Sequence, residues 1–229
     1  MSRKPLPTFD LSRPWGRVRA YLDMLWKDHA YLRLGFMNAH WVGEELVRTN
    51  QPWPFQLARW KRKHGVRTVL NLRGGGYLTG FYLLERDACA RLDLKLIDFS
   101  VSSREAPSLE QVEGAKALFE SMDYPVLMHC KSGADRAGMM SVLYAHYRLG
   151  LPVREAVAHE LSLRTLHVKQ GKTGVIDYAF ELYLRDGEPK GLGLIDWMRR
   201  PEYDPKAIKA QFQAGMWGSL LTEKLLRRE

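Results

Sequence analysis

Three short apolar runs organise the polar and apolar pattern. They are Val66 to Leu72 (VRTVLNL), Leu94 to Phe99 (LKLIDF) and Val126-Leu127-Met128, each too brief for a helix and each bounded by turn residues. Before and between them the apolar positions recur at helical spacing: Phe55 to His64, closed by Gly65 as a C-cap, Tyr82 to Leu92, and Ser108 to about Met122. Ser108 with Gln111 three residues on reads as a capping box. A hairpin is expected where His40-Trp41-Val42-Gly43 meets Glu45 to Arg48. Strands alternating with helices predict an α/β fold, with a central mixed, mostly parallel sheet flanked by helices and its chemistry at the strands' C-terminal edge.

The two ends extend this frame. Trp15 to about Phe36, with Val18, Tyr21, Leu22, Leu25, Trp26 and Tyr31-Leu32, predicts one amphipathic helix that covers the domain or lies on a membrane surface. After Pro152 a helix is expected to about Leu163, then a basic loop over 164–174 and a helix over 175–186. The expected division is a flexible arm (1–13), one domain (14–195) and a C-terminal helical extension packed on it (196–229), with Trp197, Phe212, Trp217, Leu220 and Leu225 as its apolar set.

The stretch Pro125 to Gly138, PVLMHCKSGADRAG, carries the candidate chemistry. An apolar strand runs into His129-Cys130, a short loop follows, and a helical pattern begins near Arg136 and continues through Met139, Met140, Val142, Leu143 and Tyr147. A loop opening onto a helix N-terminus points several backbone N–H groups at one spot and adds the positive end of the helix dipole. A cysteine there has its thiol pKa depressed, so the nucleophilic thiolate exists at neutral pH. Arg136 can grip two phosphoryl oxygens with its planar fork, and Gly133 permits the tight turn. The stretch therefore reads as a phosphate-binding loop with a nucleophile in its floor, a device that needs no metal.

These residues resemble a known family. Cys130 to Arg136 matches the C-x5-R signature of cysteine-dependent protein tyrosine and dual-specificity phosphatases, preceded by the usual His129. Leu46 to Pro52, then a helix, then Val69 to Arg73, resembles the opening of the bacterial and fungal dual-specificity-like branch. The resemblance covers Trp41 to Leu163 and implies a phosphocysteine intermediate. It also implies that Cys130 attacks phosphorus, that Arg136 holds its oxygens with Lys131, Ser132, Gly133 and Ala134 lining the loop, and that His129 is a hydrogen-bonding support.

Three carboxyls compete for general acid. Asp98 stands 32 residues before Cys130, a family-like spacing, Asp135 sits inside the loop as in myotubularin-like lipid phosphatases, and Glu105 lies in the Ser100–Pro107 loop. Ala137 replaces the Ser or Thr that most of the family has after the arginine, which predicts a slow second step or compensation by Ser132. Arg73 leads into a triple glycine read as a close-approach loop. With Lys131, Arg104, Lys169 and Lys172 it forms a prospective basic rim.

Composition narrows the rest. The formal net charge is +9 with two cysteines in 229 residues. That charge suits an anionic substrate or surface, and the cysteine count excludes a disulfide scaffold and fits a reduced cytoplasmic compartment. Cys89 is expected to be a buried packing residue, against the alternative of a partner for oxidised Cys130 as in some relatives. His159 and His167 read as surface or core histidines without partners. No cofactor, metal or nucleic acid is expected. The expected partner is a phosphorylated protein or lipid headgroup, with peripheral contact at an anionic inner membrane face as the alternative setting. A non-catalytic phospho-binding module is the remaining reading.

Overall fold

A computed structural model describes residues 9–226 except Tyr77 and Gln170, with side chains described up to residue 215. Residues 1–8 of the arm expected at 1–13, and the side chains of Trp217, Leu220 and Leu225, lie outside that description. In chain order the elements are α1 (Pro14–Lys27), β1 (His40–Val42), β2 (Leu46–Thr49), α2 (Pro54–His64), β3 (Thr68–Asn71), α3 (Gly80–Arg91), β4 (Lys95–Asp98), α4 (Leu109–Ser121), β5 (Val126–His129), α5 (Asp135–Tyr147), α6 (Val153–Glu160), α7 (Val175–Asp186), α8 (Leu194–Met198) and α9 (Pro205–Leu226). They fall into two compact units: residues up to Ser100 with Met122–Gly133, and Val101–Ser121 with the chain from Ala134 onward.

The first unit holds the whole sheet, in the order β1-β2-β5-β3-β4. Among the described residues only the β1–β2 pair is antiparallel. This is the expected α/β fold with a mixed, mostly parallel sheet. β2, β3 and β5 are buried along their full length, which is why β3 and β5 read as short apolar runs rather than alternating ones, whereas β4 is exposed at both ends. Val47, Val69 and Leu127 of these strands pack with Leu57 of α2 and with Ala88 and Cys89 of α3. Cys89 is therefore a packing residue, and burial pushes its thiol pKa well up, helped by the charges of Glu85 and Asp98.

The N-terminal helix is shorter than expected. It ends at Lys27, His29 adopts a left-handed φ of 55°, and Ala30–Arg33 is a separate 3₁₀ turn. An L-residue at positive φ cannot continue a right-handed helix. Asp28, just past the helix end, is turned inward to meet Arg33.

In the second unit α4 starts at the expected capping box, with Ser108 and Gln111 exchanging hydrogen bonds of 3.0 and 3.2 Å. Phe119 of α4 meets Tyr144 of α5 edge-on. The tail begins with the short α8 before α9, and the Phe212 ring of α9 meets Tyr178 of α7 at a tilt of 41°.

Candidate active site

β5 delivers His129 and Cys130 to the C-terminal edge of the sheet. The register aligns Thr49, His129, Asn71 and Asp98 in one row across β2, β5, β3 and β4. Asp98 thus stands two strand spacings from His129, about 9–10 Å along that edge.

The loop after Cys130 is held from outside. Arg48 Nη2 donates to the Gly133 carbonyl at 2.8 Å, Asn38 Nδ2 to the Ser132 carbonyl at 3.1 Å, and the Gln51 N–H to the Lys131 carbonyl at 3.3 Å. In a planar trans peptide the N–H points opposite to the C=O. Drawing these carbonyls outward turns the N–H groups of Ser132 and Gly133 inward, an anion-binding concavity of backbone donors. The Gly133 N–H donates to Cys130 Sγ at 3.2 Å. Gly133 has φ +77°, and a Cβ there would stand 2.7 Å from backbone atoms of Thr49 and Asn50, so only glycine fits.

Sequence reasoning missed Arg48 and Asn38. The available signal was a charged residue inside an apolar strand: Arg48 is wholly buried in β2. A guanidinium there requires internal acceptors, and the loop carbonyl supplies one.

His129 is buried, with Nε2 2.7 Å from Glu85 Oε1 and Nδ1 3.3 Å from the Cys130 carbonyl oxygen. Asp98 Oδ1 accepts from Asn71 Nδ2 at 2.7 Å, and its Oδ2 accepts from the Tyr82 hydroxyl at 2.6 Å. Burial, then the bond to Asp98, raises the Tyr82 pKa, so the phenol keeps its proton and stays a donor. The triple glycine wraps this carboxylate: a Cβ on Gly75 would lie 2.1 Å from Asp98 Oδ2.

Arg73 and Lys131, expected on a substrate-binding rim, meet on a carboxylate that the sequence did not single out. Arg73 gives two hydrogen bonds to Asp28, at 2.8 and 3.0 Å, and a third to Gln51 Oε1 at 3.0 Å, and it lies over the Phe81 ring. Arg33 Nη2 reaches Asp28 Oδ2 at 2.5 Å, and Lys131 Nζ stands 3.5 Å from Oδ1. Burial pushes the Asp28 pKa up, but the bonds and charge of Arg73 and then of Arg33 outweigh it, and the net shift is downward.

The second unit opens at the other end of the loop. Asp135 is the first residue of α5 and Arg136 the second. Asp135 Oδ1 lies 2.9 Å from His167 Nδ1, and His167 Nε2 lies 2.7 Å from Asp177 Oδ2. Here the expectation for His167 is corrected: it has two carboxylate partners. Burial pulls its pKa down, yet the hydrogen bonds and charges of Asp135 and Asp177 prevail and raise it to about 9, so it is an imidazolium at neutral pH. Of the other candidates, Glu105 is exposed and pairs with Lys209 at 3.3 Å, and Lys169 pairs with Glu181 at 3.3 Å. Ala137 is fully buried in α5.

A family model described as a DSP-PTPase phosphatase fused to NAD+ kinase matches residues 47–177, more than half of the chain. No curated protein matches the chain. Among solved structures, TpbA of P. aeruginosa is 18% identical with a TM-score of 0.49, over 72% of this chain and 92% of that one. Tk-PTP in its active form is 20% identical with a TM-score of 0.48, over 67% and 97%. PTPMT1 in complex with PI(5)P is 18% identical with a TM-score of 0.44, over 52% and 78%.

Proposed function

Because the chain belongs to the DSP-PTPase phosphatase family, we propose that it hydrolyses phosphomonoesters through a phosphocysteine on Cys130. The observation that carries this reading is the tied-back loop. Three outward carbonyls leave inward N–H groups, one of them already on Cys130 Sγ. In the first step the thiolate attacks phosphorus, the S–P bond forms, and the bond to the leaving oxygen breaks. That oxygen takes a proton from Asp98, which shares the sheet edge with Cys130. Arg136 holds the non-bridging oxygens, where charge is greatest in the transition state. In the second step water attacks phosphorus, the S–P bond breaks, and the water proton passes to the Asp98 carboxylate. Ala137 offers no hydroxyl to the departing thiolate, so the second step is the slower one.

The substrate reading is a phosphorylated protein. A lipid-linked phosphate is the second reading, favoured by the excess of cations at Asp28: Arg33, Arg73 and Lys131 share one carboxylate. The decisive assay is aryl phosphate hydrolysis by the parent and by Cys130→Ser. The parent turns over and the variant does not; equal rates would overturn the reading. A hundredfold preference for phosphotyrosyl peptide over phospholipid in vesicles would dismiss the lipid.

A further inference from the structure

The helix α1 has two apolar faces, and only one is used by the fold. Ala20 and Met24 pack with Ala30, Trp53 and Leu84. Two polar ties fix the helix about its axis: Arg17 makes paired bonds to Asp87 of α3, at 2.8 and 3.0 Å, and Asp23 accepts the Gly80 N–H at 2.8 Å. The outer face therefore cannot roll inward. It carries Trp15, Val18, Leu22 and Trp26, spaced by three, four and four residues, and Trp15 and Trp26 are 70% and 65% exposed. The strip continues past the helix: the Trp26 and Tyr31 rings are 6.4 Å apart, and Leu32, Leu34 and Phe36 are exposed beyond them.

Single exposed apolar residues need no explanation, but a continuous run of them marks a contact surface. We propose that the outer face of α1, with the segment to Phe36, docks the protein on the surface of an anionic lipid bilayer. Three features select that occupant. First, indole and phenol rings set along an apolar strip match the water–lipid interface, where an apolar body and a polar tip are both satisfied. Second, Arg19 is exposed on the helix, Arg13 and Lys27 are exposed at its ends where they pair with Asp10 and Asp23, and Arg3 and Lys4 precede it in the sequence. Basic residues beside an apolar helix face are the pattern of interfacial binding to anionic lipid. Third, the chain carries a net charge of +9, so a second copy would bring like charge to the same surface, whereas anionic headgroups oppose it. The contact is peripheral, because no helix among the described residues is long and apolar enough to cross a membrane. This docking stands apart from the catalytic reading, since neither Cys130 nor its loop takes part.

The test uses the full chain with vesicles of phosphatidylcholine, with and without phosphatidylglycerol, and no phosphorylated substrate. Sedimentation is expected to show binding at least about tenfold tighter to the anionic vesicles, weakening as salt rises. The double variant Trp15→Ser/Trp26→Ser should lose about tenfold or more of that affinity. It should keep the parent's circular dichroism and its rate on a soluble aryl phosphate. Anionic vesicles bound no tighter than neutral ones would overturn the proposal, as would a double variant that binds like the parent. A parent that is dimeric in solution, ignores vesicles and becomes monomeric in the variant would assign the face to a second copy instead.

Discussion

Two ionic clusters, one in each unit, are built with opposite signs. In the first unit a single buried carboxylate, Asp28, holds three cations, Arg33, Arg73 and Lys131. In the second a single buried cation, His167, holds two carboxylates, Asp135 and Asp177. Each cluster captures residues that the sequence offers as site residues, and each does so through a residue the sequence passes over. The surplus charge differs in sign, positive around Asp28 and negative around His167. A phosphorylated ligand is attracted by the first and repelled by the second. The Asp28 cluster therefore suits an anionic substrate, while the His167 cluster suits fixing Asp135 at the start of α5.

The largest expected effect separates the two units as sources of the catalytic proton. Asp98 belongs to the first unit and is held by two neutral donors, whereas Asp135 faces an imidazolium. Asp98→Asn should lower aryl phosphate turnover by about 10²–10⁴-fold and flatten one limb of the pH–rate profile. If Asp135→Asn takes that loss and Asp98→Asn does not, the comparison is reversed.

Next in size is Asp28→Ala. It strips the buried Arg33 and the nearly buried Arg73 of their carboxylate and should cost about 3–5 kcal/mol, read by urea unfolding. The Asp28 pKa lies below its ordinary value of 3.8 in the fold. Its stabilisation is therefore present above that value and disappears as pH falls through the lowered one. A variant as stable as the parent at neutral pH would mean that the three cations are satisfied without it.

His167→Gln keeps a donor for one carboxylate and loses a charged bond to the other, a cost of about 1.5–3 kcal/mol at neutral pH. The sign of the pH dependence is opposite to that of Asp28. The His167 pKa rises from 6.5 to about 9, so its contribution is complete below the first value and is lost as pH rises through the second. The difference in stability between parent and His167→Gln should shrink across that window. A constant difference would mean that His167 packs as a neutral ring.

What was legible in the sequence was local. The buried strands β3 and β5 announced themselves as short apolar runs, and the helix expected at 175–186 is there. The cysteine loop was legible because its turn glycine and its arginine lie within six residues of the nucleophile. The end of α1 was not, because the pattern runs on through Leu32 and only the backbone of His29 breaks it. The partners of His167 are 32 and 10 residues away, and Asp28 meets Arg73 across 45 residues. Such pairings are decided by the fold, and a lone Asp or His in a row of letters carries no mark of them. Arg48 is intermediate: its place in an apolar strand was visible, but its acceptor, the Gly133 carbonyl, is 85 residues on.

The central claim is that Cys130 carries the phosphoryl group between two steps, with the second slowed by Ala137. It is tested most directly by rapid acid quenching during turnover of an aryl phosphate, followed by peptide mass mapping. A phosphoryl group is expected on the peptide containing Cys130, accumulating in the parent and absent in Cys130→Ser. Steady turnover with no phosphoryl group on Cys130 at any quench time, or with the group on another residue, would contradict it.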